Sequence, residues 1–128
     1  IEMLEGFVFN PLIHFLKPFG FMDYNCLQMN ALCVISDSGT ISEESSILRF
    51  PAITIRNSME RPEAIDAGTI VLSGFDPDVV LDSINLAVEE NADYDRICPE
   101  YEVKNTAMRV MKLVMGTAKL HKQWSGLY

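Results

Sequence analysis

"ALCVISDSGTISEESSILRFPAITIR" (Ala31–Arg56) contains the alternation on which the fold turns. An apolar β-rich run, Leu32–Ser36, breaks at Gly39 and passes into a helix-like stretch, Ser42–Arg49. A second β-rich run, Ala52–Arg56, follows, with Pro51 at its entry, where a missing N–H matters least. Short strands alternating with helices predict a parallel sheet covered on both faces.

Outward from this unit the alternation continues. "IHFL" (13–16) reads as a first short strand. "MDYNCLQMNA" (22–31) reads as a helix, with Leu27 and Ala31 four residues apart. In "ERPEAIDAG" (60–68), Pro62 suits the first turn of a short helix and Gly68 its end. "IVL" (70–72) predicts a fourth strand. Asp76 or Asp78 then caps a helix over 77–90, whose stripe is Val79, Val80, Ile84, Leu86 and Val88. A polar connector, "NADYDRICPEYE" (91–102), leads to a last helix near 102–121 that carries Val103, Ala107, Val110, Val114 and Leu120. Neither an internal repeat nor a low-complexity segment interrupts the pattern.

The 128 residues suffice for one domain with a core, and the chain starts at Ile1, as an excised or processed piece of something larger would. A net charge of −8 excludes a general nucleic-acid binder, which needs clustered Lys and Arg. No apolar run reaches the roughly 18–20 residues of a membrane-spanning helix, so neither nucleic acid nor membrane is an expected partner. Cys26, Cys33 and Cys98 form no CxxC pair and read as buried reduced thiols, which points to a cytoplasmic setting. His14 and His121 lie far apart with no ligand-spaced partners, so no metal is expected.

In open α/β sheets, ligands bind beyond the carboxyl ends of the strands. Asp37–Thr40 and "RNSMER" (56–61) both fall there. A helix beginning near Thr40 or Ile41 offers unpaired N–H groups and a positive dipole end. Gly39 allows close approach or a positive φ, and Ser38 and Thr40 add hydroxyls, which together make a phosphate cradle. The simpler alternative is a capping box, Ser38 or Thr40 with Glu43, and the pattern alone leaves both open. Glu43 and Glu44 suit a first helical turn, but a carboxylate one turn beyond a phosphate cradle can also accept from the vicinal hydroxyls of a ribose. Arg61, after a strand's carboxyl end, could aim a bidentate donor at the same anion or could be an ordinary surface arginine. Walker and GxGxxG patterns are both absent.

With these residues in view, "SDSGTISEESSILRFPAITIRNSMERPEAIDAGTIVLSG" (Ser36–Gly74) resembles the non-hydrolysing UDP-N-acetylglucosamine 2-epimerase family, from its DSG turn through its ERPE and AGT signatures. "KPFGFMDYNCLQMNA", Thr40 and "FPAITIR" resemble more narrowly the branch making UDP-N-acetyl-L-fucosamine for surface polysaccharides from a UDP-linked 2-acetamido-2,6-dideoxy-L-talose. The resemblance implies a Rossmann-like three-layer domain. It would be the C-terminal, UDP-binding half of a glycosyltransferase-B-type fold, its N-terminal domain being absent here. It matches Tyr24 to an aromatic residue at the uracil. Ser38, Gly39 and Thr40 correspond to the diphosphate turn, Glu44 to the ribose carboxylate and Arg61 to an arginine near the phosphates. The family has a second glycine where Thr40 stands.

The implied reaction expels UDP to leave a glycal and adds it back after C2 inverts, with no metal or other cofactor. The proton-transfer carboxylates and an HRREN-like motif belong to the other half of the family's chain, so this polypeptide alone is expected to be inactive. The resemblance implies a UDP-sugar and the missing domain as partners and leaves room for a homo-oligomer of the full-length enzyme. Two alternatives stand beside it. One is a glycosyltransferase domain of the same architecture, against which the ERPEA and AGT stretches count. The other is a non-catalytic α/β interaction module whose Ser-Gly-Thr is only a cap.

Overall fold

A computed structural model describes residues 6–89 and 97–126. Among the described residues, six helices and three strands run in the order α1 (Phe21–Met29), β1 (Val34–Ser36), α2 (Ile41–Leu48), β2 (Ala52–Thr54), α3 (Glu63–Asp66), β3 (Val71–Leu72), α4 (Pro77–Glu89), α5 (Thr106–Thr117) and α6 (His121–Trp124), with a 3-10 turn at Pro99–Glu102 between α4 and α5. The strands form one parallel sheet in the order β1-β2-β3, with Val34 opposite Ala52 and Ile53 opposite Val71. Successive strand side chains point to opposite faces. All three residues of β2 are buried, so both faces of the central strand are covered and the layered α/β expectation holds. The core gathers Ile41, Phe50, Ala52, Ala64 and Ile70, with Val34, Leu48, Met59, Ile65 and Tyr101 packed against it.

Local chemistry explains the element ends. Asp76, not Asp78, caps α4: its Oδ1 accepts from the amides of Asp78 (3.0 Å) and Val79 (3.3 Å). Gly68 closes the turn after α3 at φ +69°, in the left-handed region that glycine tolerates. α2 ends instead on Arg49 at φ 61°, a left-handed cap built without glycine.

Several expectations are corrected. "IHFL" is no strand: Asn10 turns the chain, its side chain taking the amide of Leu12 and its carbonyl that of Ile13, and residues 13–16 stay exposed. The inward face of α4 is Val80, Ser83, Ile84, Ala87 and Val88, whereas Val79 and Leu86 face outward. The expected stripe followed bulk, while the true 3.6-residue line includes a serine and an alanine small enough to let the helix approach β2. Leu27 is exposed, and the buried residue of α1 is Gln28. The last helix is not continuous: residues 99–102 form the 3-10 turn, and after Thr117 the Leu120 amide bonds back to Thr117 O, a tight i→i−3 link, before α6 begins. Cys26 is exposed, Cys33 half-buried and Cys98 buried, so one of the three thiols matches the expected burial fully. Residues 91–96 of the connector, and Glu90 at the end of the helix expected over 77–90, lie outside the described residues.

Candidate functional site

β1 and β2 are parallel neighbours, so the turn after β1 and the loop after β2 emerge side by side at the carboxyl edge. The turn is laced by hydroxyls at alternate positions. Ser36 Oγ accepts from the Ser38 amide at 3.0 Å, and Ser38 Oγ from the Thr40 amide at 3.3 Å. The capping box does not form. Thr40 sits at the N-cap of α2 in a helical conformation (φ −95°, ψ −4°), and no side chain caps the helix. Glu43 turns away from the helix end to pair with Arg61. Tyr101 lies near this pair. Burial, with the Glu43 charge next in weight, pushes its hydroxyl up to about 12.

Gly39 is not in the left-handed region. A Cβ placed on it would lie 3.5 Å from Arg61 Nη2 and 3.6 Å from Arg56 Nη1, which is ordinary contact. Neither dihedral nor crowding within the chain demands glycine at this point. What the glycine leaves is room between the turn and two guanidinium groups. Arg61 Nη2 donates to Gly39 O at 2.7 Å and its Nη1 donates to Glu43, so it bridges the loop after β2 to the start of α2. Arg56 is held by a two-bond fork to Glu60 (2.6 and 2.9 Å), and this bonding keeps the Glu60 carboxyl below the usual range.

Glu44 is gripped from two sides. Thr40 Oγ1 donates to its Oε1 at 2.6 Å and Gln28 Nε2 to its Oε2 at 2.7 Å. With its proton on Glu44, Thr40 can only accept across the 3.0 Å contact to Ser38 Oγ, so Ser38 donates there. Tyr24, on α1, lines an apolar cleft of about 460 Å³ whose far side is Glu44, Ile47 and Leu48 on α2.

All six residues singled out in the sequence thus border one region at the sheet edge: Ser38, Gly39, Thr40 and Arg61 in direct contact, Glu44 through Thr40, and Tyr24 across the cleft. Two residues were missed. Arg56 lies inside the flagged "RNSMER" and carried its own charge as a signal. Gln28 stands one helical turn after Tyr24, on the same face of α1.

Fold and site together define a class: a Rossmann-like α/β domain with a hydroxyl- and arginine-lined turn at the carboxyl edge of its parallel sheet. The sequence model of the UDP-N-acetylglucosamine 2-epimerase family matches residues 1–115, and the chain belongs to that family. A UDP-N-acetylglucosamine 2-epimerase from Methanococcus maripaludis is 31% identical over 119 residues, which are 93% of this chain and 31% of that protein. A probable UDP-N-acetylglucosamine 2-epimerase from Ralstonia solanacearum is 34% identical over 83 residues, 65% of this chain and 22% of the relative. Among solved structures, UDP-N-acetylglucosamine 2-epimerase from Rickettsia bellii superposes with a TM-score of 0.74 at 39% identity, covering 95% of this chain and 33% of that one. The chain spans about a third or less of the length of these relatives.

Proposed function

We propose that the chain is the UDP-binding, C-terminal domain of a two-domain nucleotide-sugar C2 epimerase. The observation that carries this reading is the convergence of the uncapped Ser38–Thr40 turn, Arg61 and the doubly held Glu44 at one sheet edge, in a chain of this family. Ser38, Gly39 and Thr40 with the start of α2 would receive the diphosphate, Arg61 would complete its charge neutralisation, Glu44 would accept from the ribose hydroxyls, and Tyr24 would stack on the uracil.

The chemistry follows from what such a turn can stabilise. Cleavage of the anomeric C–O bond leaves both electrons on UDP. Amides, a helix dipole and a guanidinium aimed at that growing charge lower the barrier to departure. A base elsewhere in the full protein removes the C2 proton, giving the glycal, and UDP adds back once the proton returns on the other face. Arg61 must exchange Glu43 and Gly39 O for phosphate oxygens, and Ser38 and Thr40 must rotate their hydroxyls away from each other and from Glu44. The reach of the relatives beyond this chain and the uncovered apolar side chains of α5 support a second domain, which would supply the acid–base groups. We assign the substrate to the UDP-2-acetamido-2,6-dideoxy-L-talose branch, in cytoplasmic synthesis of surface-polysaccharide precursors.

The test is to incubate the full-length protein with UDP-N-acetylglucosamine and with the UDP-talosamine derivative, reading products by NMR. Inversion at C2 of the latter supports the assignment. Inversion of UDP-N-acetylglucosamine alone moves the substrate to the general family, and no inversion of any UDP-sugar by a protein that binds UDP overturns the epimerase reading.

A further inference from the structure

Gln28 holds Glu44 but has no role of its own in the reading above, yet its environment is costly. It is 2% exposed on a helix whose buried position an apolar side chain would ordinarily fill. Its Nε2 donates to Glu44 Oε2, and its Oε1 is buried without a partner among the described residues. The carboxylate fixes which end is which, because an ionised carboxylate only accepts. A buried unsatisfied carbonyl oxygen opposes folding, and a leucine or methionine would avoid that penalty. Stability therefore does not account for the amide. Its hydrogen bond to Glu44 does: it sets the rotation of that carboxylate.

The other hydroxyl or amide on that carboxylate is Thr40 Oγ1, which belongs to the turn itself. When a diphosphate takes the Thr40 hydroxyl, Oε1 of Glu44 loses its donor, and Gln28 is the side chain among the described residues that still holds the carboxylate. We infer that Gln28 is a positioning residue that fixes Glu44 so that the freed Oε1 meets the ribose hydroxyls of a nucleoside diphosphate. This rests on the UDP-binding reading. It adds a coupling: occupation of the turn by the diphosphate releases the acceptor that reads the sugar.

The experiment uses the full-length protein and three probes: UDP, its 2′,3′-dideoxy analogue and inorganic pyrophosphate, titrated calorimetrically beside melting curves. Wild type should prefer UDP to the dideoxy analogue by roughly tenfold or more, the scale of a lost charge-assisted hydrogen bond. Gln28→Met, similar in volume, should bring that preference to within about threefold while pyrophosphate binding stays, since a loosened carboxylate no longer meets the hydroxyls in register. Gln28→Leu likewise removes the donor at a buried position, and should flatten the preference as well. It serves where the methionine variant melts early.

A folded variant that keeps the wild-type preference overturns the inference and leaves the UDP site standing. Equal loss for UDP, analogue and pyrophosphate also overturns it, as the mark of a structural residue. A wild type that binds UDP without preferring it to the dideoxy analogue overturns the role of Glu44, and the inference with it. A wild type that binds no UDP overturns the site as a whole.

Discussion

Ser38 is the residue at which the two readings of the turn part most cleanly. Its hydroxyl supports the Thr40 amide over 3.3 Å and makes no cap on α2. Ser38→Ala should therefore leave the melting curve within about 0.5 kcal/mol of wild type and weaken UDP by roughly 1.5–3 kcal/mol, the value of a hydrogen bond to a charged group. A melting loss with unchanged affinity in calorimetry would restore the cap as the whole explanation. Glu44→Gln should weaken UDP but spare pyrophosphate, whereas Arg61→Ala should weaken both, because in the proposed binding mode the arginine meets the anion and the carboxylate meets the ribose. In the Arg61–Glu43 pair the arginine side chain is 47% exposed and the glutamate 22%, so its loss should cost modest stability, about 1 kcal/mol. Much of this was legible in the sequence, since Ser-Gly-Thr followed by two glutamates is a local pattern. Gln28 was not legible. A glutamine on a helix reads as solvent-facing, and only the packing of α1 against α2 shows that it is buried on a carboxylate.

Among the elements, those marked by backbone chemistry were the easiest to foresee. Pro51 before β2, Pro62 before α3 and Gly68 after it all stand where proline's fixed φ and glycine's freedom place them. Elements inferred from bulk alone fared worse: "IHFL" has strand composition but no neighbour in the sheet, and α4 turned on small residues. The 3-10 turn was not foreseeable, because it is defined by long-range docking, the Cys98 amide donating to Ser46 Oγ at 2.8 Å across 52 positions. Burial also raises the Cys98 thiol, with the Glu100 contact adding to the shift. Tyr101, in the same turn, provides a check on that docking. Its folded-state value is raised from 10 to about 12. The neutral phenol is thus favoured by folding, a contribution fully present below pH 10 and lost as pH rises from 10 through 12. Melting temperature should fall over that window, and Tyr101→Phe should flatten the fall without lowering stability at neutral pH, because the buried hydroxyl has no partner among the described residues. An identical alkaline fall in the phenylalanine variant would place its origin elsewhere.

At the scale of the molecule, the apolar side of α5 decides what the chain can do alone. Val110 and Val114 on α5, and Leu120 just before α6, are 53, 54 and 39% exposed, and α5 buries no residue. On the two-domain proposal this face belongs against the rest of the full protein, and residues 1–128 alone should bind UDP but give no epimerisation in a product assay. Turnover by the purified fragment would put the acid–base groups inside it. The sheet adds a consequence for anyone preparing that fragment. Among the described residues β1 has a strand on one side only, and its Ile35 is 47% exposed. An unpaired parallel edge beside exposed aliphatic side chains is a template for a second copy. Turbidity and fibrous precipitate should therefore rise with concentration, and a lysine at position 35 would be the economical way to keep the fragment in solution.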